Sequence, residues 1–231
     1  CSMIHLLIQQ FARIFEYHQK QLPKNFSYCD SIGNTLDNIW QPIEKIAIYV
    51  PGGTASYASS VLMNAVPAIV AGCKNIVMAT PSNAKKINDA VLVAAEICGI
   101  KTIYKTGGAA AIAGLALGTK TIAQVDKIVG PGNSFVALAK KQLFGEVGID
   151  MIAGPTDILI IADNKNNPDW VAADLLSQLE HGADSRAILI SDDLEFINLV
   201  NNALSKLAKN LSRANIIKQS TKKSALILVK N

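Results

Sequence analysis

KIAIYVPGGTASYASSVLMNAVPAIVAGCKNIVMAT, residues 45–80, decides the fold. Lys45–Val50 is an apolar run too short for a helix. Pro51-Gly52-Gly53 punctuates it, and residues from about 59 to 71 carry apolar side chains at helical spacing. Asn75–Thr80 is a second short apolar run. Strand, glycine turn, helix and strand in that order predict a βαβ unit with parallel strands.

The pattern continues in both directions. Downstream, a helix over about 84–98 ends at Gly99, and KTIYKT (101–106) is a strand followed by Gly107-Gly108 and an alanine-rich helix. DKIV (126–129) is a strand, followed by GPGN (130–133) and a helix to about Phe144. A second series begins near Ile149. DILIIA (157–162) is a strand, and Pro168–His181 is a helix with Asn167 as cap, Pro168 at its first position and Gly182 past its end. AILIS (187–191) is a strand, 192–210 a helix, and SALILVK (224–230) a last strand of interior character at which the sequence stops abruptly, as a truncated chain would. Upstream, Ile4, Leu7, Ile8, Phe11, Ile14 and Phe15 mark an amphipathic helix over 4–20 that needs a partner surface. Residues 21–44, with Pro23, Gly33 and Pro42, read as irregular.

Composition narrows the function classes. Half the residues are hydrophobic and few are aromatic, as in an α/β protein with strands covered on both faces. The net charge of +4 comes from dispersed lysines, with no arginine stripe interleaved with aromatics, so nucleic acid is not an expected partner. No apolar run is long enough to span a membrane, and the first residues lack a signal-peptide pattern. Cys1, Cys29, Cys73 and Cys98 show no metal or disulfide spacing and read as reduced cytosolic thiols.

Three glycine corners at strand C-terminal ends carry the chemistry: PGGTASY (51–57), GGAA (107–110) and GPGN (130–133). Glycine allows close backbone approach, and each helix start offers free N–H groups. From spacing alone they are either a ligand crevice or ordinary turns. No GxGxxG occurs. Asp174, Gln178 and His181 fall at i, i+4 and i+7 and would share a helix face able to contribute to a divalent-metal site. Taken alone, a histidine at a helix C-terminus more often compensates the helix dipole. AGPTD (153–157) is a turn in which Thr156 either bonds a ligand or makes a side-chain turn.

Five segments together are more specific. IYVPGGTASYASSVLMNAVPAIVAG, KTGGAAAIAGLALGT, VDKIVGPGNSFVALAKKQLFG, VGIDMIAGPTDILIIAD and NPDWVAADLLSQLEHGA, in order and without large gaps, closely resemble histidinol dehydrogenase. The resemblance runs from about Ile4 and is densest from Tyr49 to His181. It implies NAD- and zinc-dependent oxidation of L-histidinol to L-histidine, on two incomplete Rossmann-like domains. It implies NAD contacts at Tyr49 and Asn133, a substrate contact at Thr156, and zinc ligands, also close to substrate, at Gln178 and His181. Ala110 stands where the family has an NAD-contacting glutamine, and Thr156-Asp157 where it has Ser-Glu. The family's catalytic Glu-His pair, a zinc-binding Asp and a further zinc-binding His belong to a segment beyond the last strand read here.

The expectation is therefore an α/β chain of two Rossmann-like parallel-sheet units, the second incomplete, with an N-terminal helical segment. Residues 49–155 form the first unit with the NAD crevice. Residues 1–48 pack with the second unit, 156–231, which carries the SQLEH metal motif. The chain acts on a small-molecule substrate only in a longer assembly, binds NAD and zinc weakly, and self-associates or forms a homo-oligomer. The competing expectations are a non-catalytic remnant and a weak nucleotide-binding module.

Overall fold

The computed structural model describes residues 3–52, 57–82, 86–152, 154, 157–209, 211 and 213–230. The chain divides into two compact units, Cys1–Ala153 and Gly154–Asn231. In chain order the first contains α1 (Met3–Gln19), β1 (Phe26–Cys29), β2 (Thr35–Asn38), β3 (Lys45–Tyr49), α2 (Ala58–Val70), β4 (Asn75–Ala79), α3 (Asp89–Ile97), β5 (Thr102–Tyr104), α4 (Gly108–Leu117), β6 (Lys127–Val129), α5 (Ser134–Leu143) and β7 (Gly148–Ile149). The second contains β8 (Asp157–Ile161), α6 (Pro168–Leu179), β9 (Arg186–Ser191), α7 (Leu194–Ala208), α8 (Ala214–Ser220) and β10 (Ala225–Leu228).

The first unit is built on a parallel sheet of order β5-β4-β3-β6-β7. Alternation along β3 sends Ile46, Ile48 and Val50 to one core, with α2 and α3. Ala47 and Tyr49 point into the opposite core, with α4 and α5. Both faces are thus covered, as the continuous apolar strands require. The N-terminal helix was expected on the second unit. Leu7, Phe11, Ile14 and Phe15 instead pack against the α2–α3 core of the first. The amphipathic period specified a buried face but not the surface that buries it. Residues 21–44 are less irregular than expected, because β1 and β2 pair as an antiparallel hairpin. Asp30 closes its turn, accepting from the backbone N–H groups of Ile32 and Asn34. The third helix begins only at Asp89, where the Asn88 side chain caps it by accepting from Ala90 N–H at 2.9 Å.

The second unit holds a three-stranded parallel sheet of order β10-β9-β8. Its single core joins Leu189 and Ala187 of β9 to α6 and α7 through Leu175, Leu176, Phe196 and Val200. The last strand was expected to be interior. Among the described residues it lies at an edge, paired only with β9, and the interior strand is β9. Apolar content alone does not separate a central strand from an edge strand.

Cys29, Cys73 and Cys98 are free thiols, and burial pushes Cys98 up to about 11. No helix among the described residues is long and apolar enough to cross a membrane.

Candidate functional site

The sheet order of the first unit creates the site. From β3 the chain winds to one side through β4 and β5, then returns to the other side of β3 with β6 and β7. Connections leaving β3 and β6 therefore diverge, which makes the C-terminal ends of these two strands the place where a doubly wound sheet receives a ligand. Ile48 pairs with Val129, so Tyr49 and Gly130 lie side by side at this switch point. Gly130 has φ +113°, and a Cβ there would fall 2.2 Å from the Tyr49 carbonyl oxygen. Only glycine fits this approach.

The other corners meet at the same place. Tyr49 is 3% exposed. Its hydroxyl accepts from the Gly108 N–H at 3.1 Å, tying β3 to the start of α4. Pro81, after β4, sits between the first and second corners: a Cβ on Gly52 would come within 2.5 Å of it, and one on Gly107 within 2.7 Å. Residues 53–56 of the first corner lie outside the described residues. Ala110 is exposed in the first turn of α4. Asn133 is exposed and caps α5, its Oδ1 accepting from Val136 N–H at 3.1 Å. Capping uses the amide oxygen and leaves the amide N–H groups for another partner.

Two further residues escaped the sequence reading. Lys140 of α5 is buried, and its Nζ donates to the Gly130 carbonyl at 2.8 Å and to Asp150 Oδ1. Asp150 Oδ2 accepts from Gly130 N–H at 2.7 Å, and its Oδ1 also accepts from Met151 N–H at 2.7 Å. The signal was present in the sequence. Lys140 lies four residues after Val136, on the buried face of α5.

The residues expected around a metal are less well assembled. Helix α6 ends at Leu179 with Glu180 as its C-cap, so His181 lies beyond the helix in a turn and is exposed. Gln178 is buried and has interaction partners of its own, whereas Asp174 is exposed. The helix stops two residues before His181, whose backbone N–H bonds the Gln178 carbonyl at 3.2 Å, so the turn and not the helix positions the imidazole relative to Asp174 and Gln178. Among the described residues no group of three or more His, Cys, Asp or Glu is placed to hold a metal ion. Thr156 lies outside the described residues. Asp157 opens β8 and accepts from Arg186 Nε at 3.0 Å and Nη2 at 2.6 Å, which raises the guanidinium pKa.

Comparison with known families matches residues 2–231 to the histidinol dehydrogenase model. The chain belongs to the histidinol dehydrogenase family. It is 56% identical over 203 residues to the histidinol dehydrogenase of Rhizobium meliloti, covering 88% of this chain and 47% of that protein. It is 54% identical over 213 residues to that of Agrobacterium fabrum, covering 92% and 49%. The crystal structure of histidinol dehydrogenase from Elizabethkingia anophelis superposes with a TM-score of 0.94 at 40% identity, covering 100% of this chain and 54% of that one. The chain thus spans about half the length of the curated histidinol dehydrogenases it matches.

Proposed function

We propose that this chain supplies the NAD crevice of a histidinol dehydrogenase, and that its 231 residues alone do not oxidise L-histidinol to L-histidine. The observation that carries the first half is the meeting of glycine corners at the β3–β6 switch point. The residues there fit a dinucleotide. Glycines keep the backbone open to close approach, the start of α4 faces outward at Ala110, and Asn133 keeps its amide donors. Tyr49 acts from below, holding the start of α4 against the end of β3. NAD, when bound, supplies the hydride acceptor.

The second half rests on what these residues lack. Gln178 is buried and engaged, His181 is exposed beyond the end of α6, and the two would supply only part of a four-ligand zinc shell. Two neutral ligands would also leave the ion's charge uncompensated. The sequence has three histidines: His5 and His18 belong to α1, and His181 follows α6. The base and remaining ligands that the family uses fall on none of these residues.

The test is a titration of the purified chain with NAD, followed by addition of Zn²⁺ and L-histidinol. Weak NAD binding, no NADH and no zinc retained after dialysis against a mild chelator are expected. NADH formation that survives purification and is lost in His181→Ala would overturn the inactivity. Absence of any NAD binding would overturn the crevice.

A further inference from the structure

We propose that Lys140 and Asp150 are positioning residues for the nucleotide, setting the conformation of the Gly130–Asn133 corner; this rests on the crevice reading above. Gly130 is held at φ +113° against Tyr49, a conformation favoured only by glycine. Freedom to adopt it is also freedom to leave it. Both polar groups of this residue are held by side chains. Asp150 Oδ2 takes its N–H and Lys140 Nζ takes its carbonyl. The two side chains in turn pair with each other. Lys140 is 3% exposed, so its charge is compensated by Asp150 rather than by water. The clamp starts two helical turns after Asn133 on the helix that Asn133 caps. One ion pair therefore fixes the peptide planes of the corner and the helix start beside it. A nucleotide using Asn133 or the corner backbone would meet a preformed surface and would not have to order it.

The test uses the whole chain in three forms beside wild type: Lys140→Met, Asp150→Asn, and Lys140→Met with Asp150→Asn. Each single change leaves one charge of the pair uncompensated and risks unfolding. The double variant removes both charges and keeps the volumes. Nucleotide binding is followed by NMR titration with NAD, AMP and nicotinamide mononucleotide separately, and amide exchange is followed at Gly130. In the double variant, Gly130 exchange should speed up. Affinity for the mononucleotide half seated at this corner should fall about five-fold or more, and affinity for the other half should stay at its wild-type value. Unchanged affinity for both halves, with faster Gly130 exchange, would make the clamp merely structural. Loss of both halves together with the melting transition would do the same. Wild-type protein that binds none of the three ligands defeats the crevice reading itself, a result distinct from any variant's behaviour.

Discussion

In the first unit both faces of the parallel sheet are covered by helices; in the second, among the described residues, only one is. The α2–α3 and α4–α5 layers leave β3 buried on either side, with Ala47 and Ile48 fully inaccessible. In the second unit α6 and α7 cover one face. The opposite face carries two cross-strand rows, Leu159–Ile188–Ala225 and Ile161–Ile190–Ile227. Leu159 and Ile161 are 56% and 77% exposed. Parallel sheets in folded proteins are buried on both faces. The same βαβ grammar has therefore produced one unit whose sheet is finished and one whose sheet has an apolar face with no cover among the described residues. The strand order agrees: β3 has neighbours on both sides, while β8, among the described residues, pairs only with β9.

The largest expected effect is on stability. Leu189→Ala at a fully buried position of β9 should cost ~2–5 kcal/mol. With one core, the second unit should open while the first stays folded. Ile48→Ala should destabilise the first unit and leave β8–β10 protected. Amide exchange resolved by strand measures both, and simultaneous loss of protection in the two units would break the comparison.

Next is association. An exposed apolar face of this kind is an association site, so the chain should self-associate. Ile161→Lys should preserve the fold. Burying an isoleucine is worth ~1.5–3 kcal/mol, so self-association should weaken about ten-fold or more. Sedimentation at several concentrations, with a hydrophobic dye, reads this. A wild-type monomer that binds no dye at any concentration would mean the bare face is not a docking surface.

The finished unit offers a smaller gain. Ala110→Gln places an amide in the first turn of α4 beside the crevice. One net hydrogen bond to NAD is worth ~1 kcal/mol, or about five-fold in affinity. An unchanged affinity would place residue 110 away from the nucleotide.

The smallest effect separates neutral from charged helix caps by pH. In the first unit Asn88 and Asn133, neutral amides, cap α3 and α5. In the second, Asp193 caps α7, and the Phe196 N–H, with Asn164, holds its carboxyl below the usual carboxylate range. A folded pKa below the unfolded one stabilises above the unfolded value of about 3.9. That contribution is lost as pH falls through the folded value. Protection of α7 should therefore decline in acid, and Asp193→Asn should flatten this dependence. An equal acid response in the variant would assign the loss to other carboxylates.

Much of the fold was legible because it is written locally. Short continuous apolar runs such as KIAIYV and AILIS marked the strands, and glycine after β3, β5 and β6 marked the corners. Asn167-Pro168 fixed the start of α6. The β1–β2 hairpin was hidden because its residues are nearly all exposed and show no alternation of burial. Short α8, without a side-chain cap, gave no start signal. At the site, the glycine corners were readable from their turn chemistry, and Asn133 from the family resemblance. The burial of Tyr49 and the strut it forms with Gly108 were not, because the two residues are 59 apart in sequence.

By itself the sequence determined the parallel α/β class, the order of strands and helices, the three glycine corners and, through its five motifs, the family. Tertiary structure alone decided which surface receives α1, that β10 is an edge, that Gln178 is buried while His181 is exposed, and that Lys140 and Asp150 clamp Gly130. The physical reason is the range of the information. A residue's side-chain period and turn preference are fixed by its own backbone and immediate neighbours. The partner of a buried face, or of a buried charge, is chosen by where distant segments come to rest.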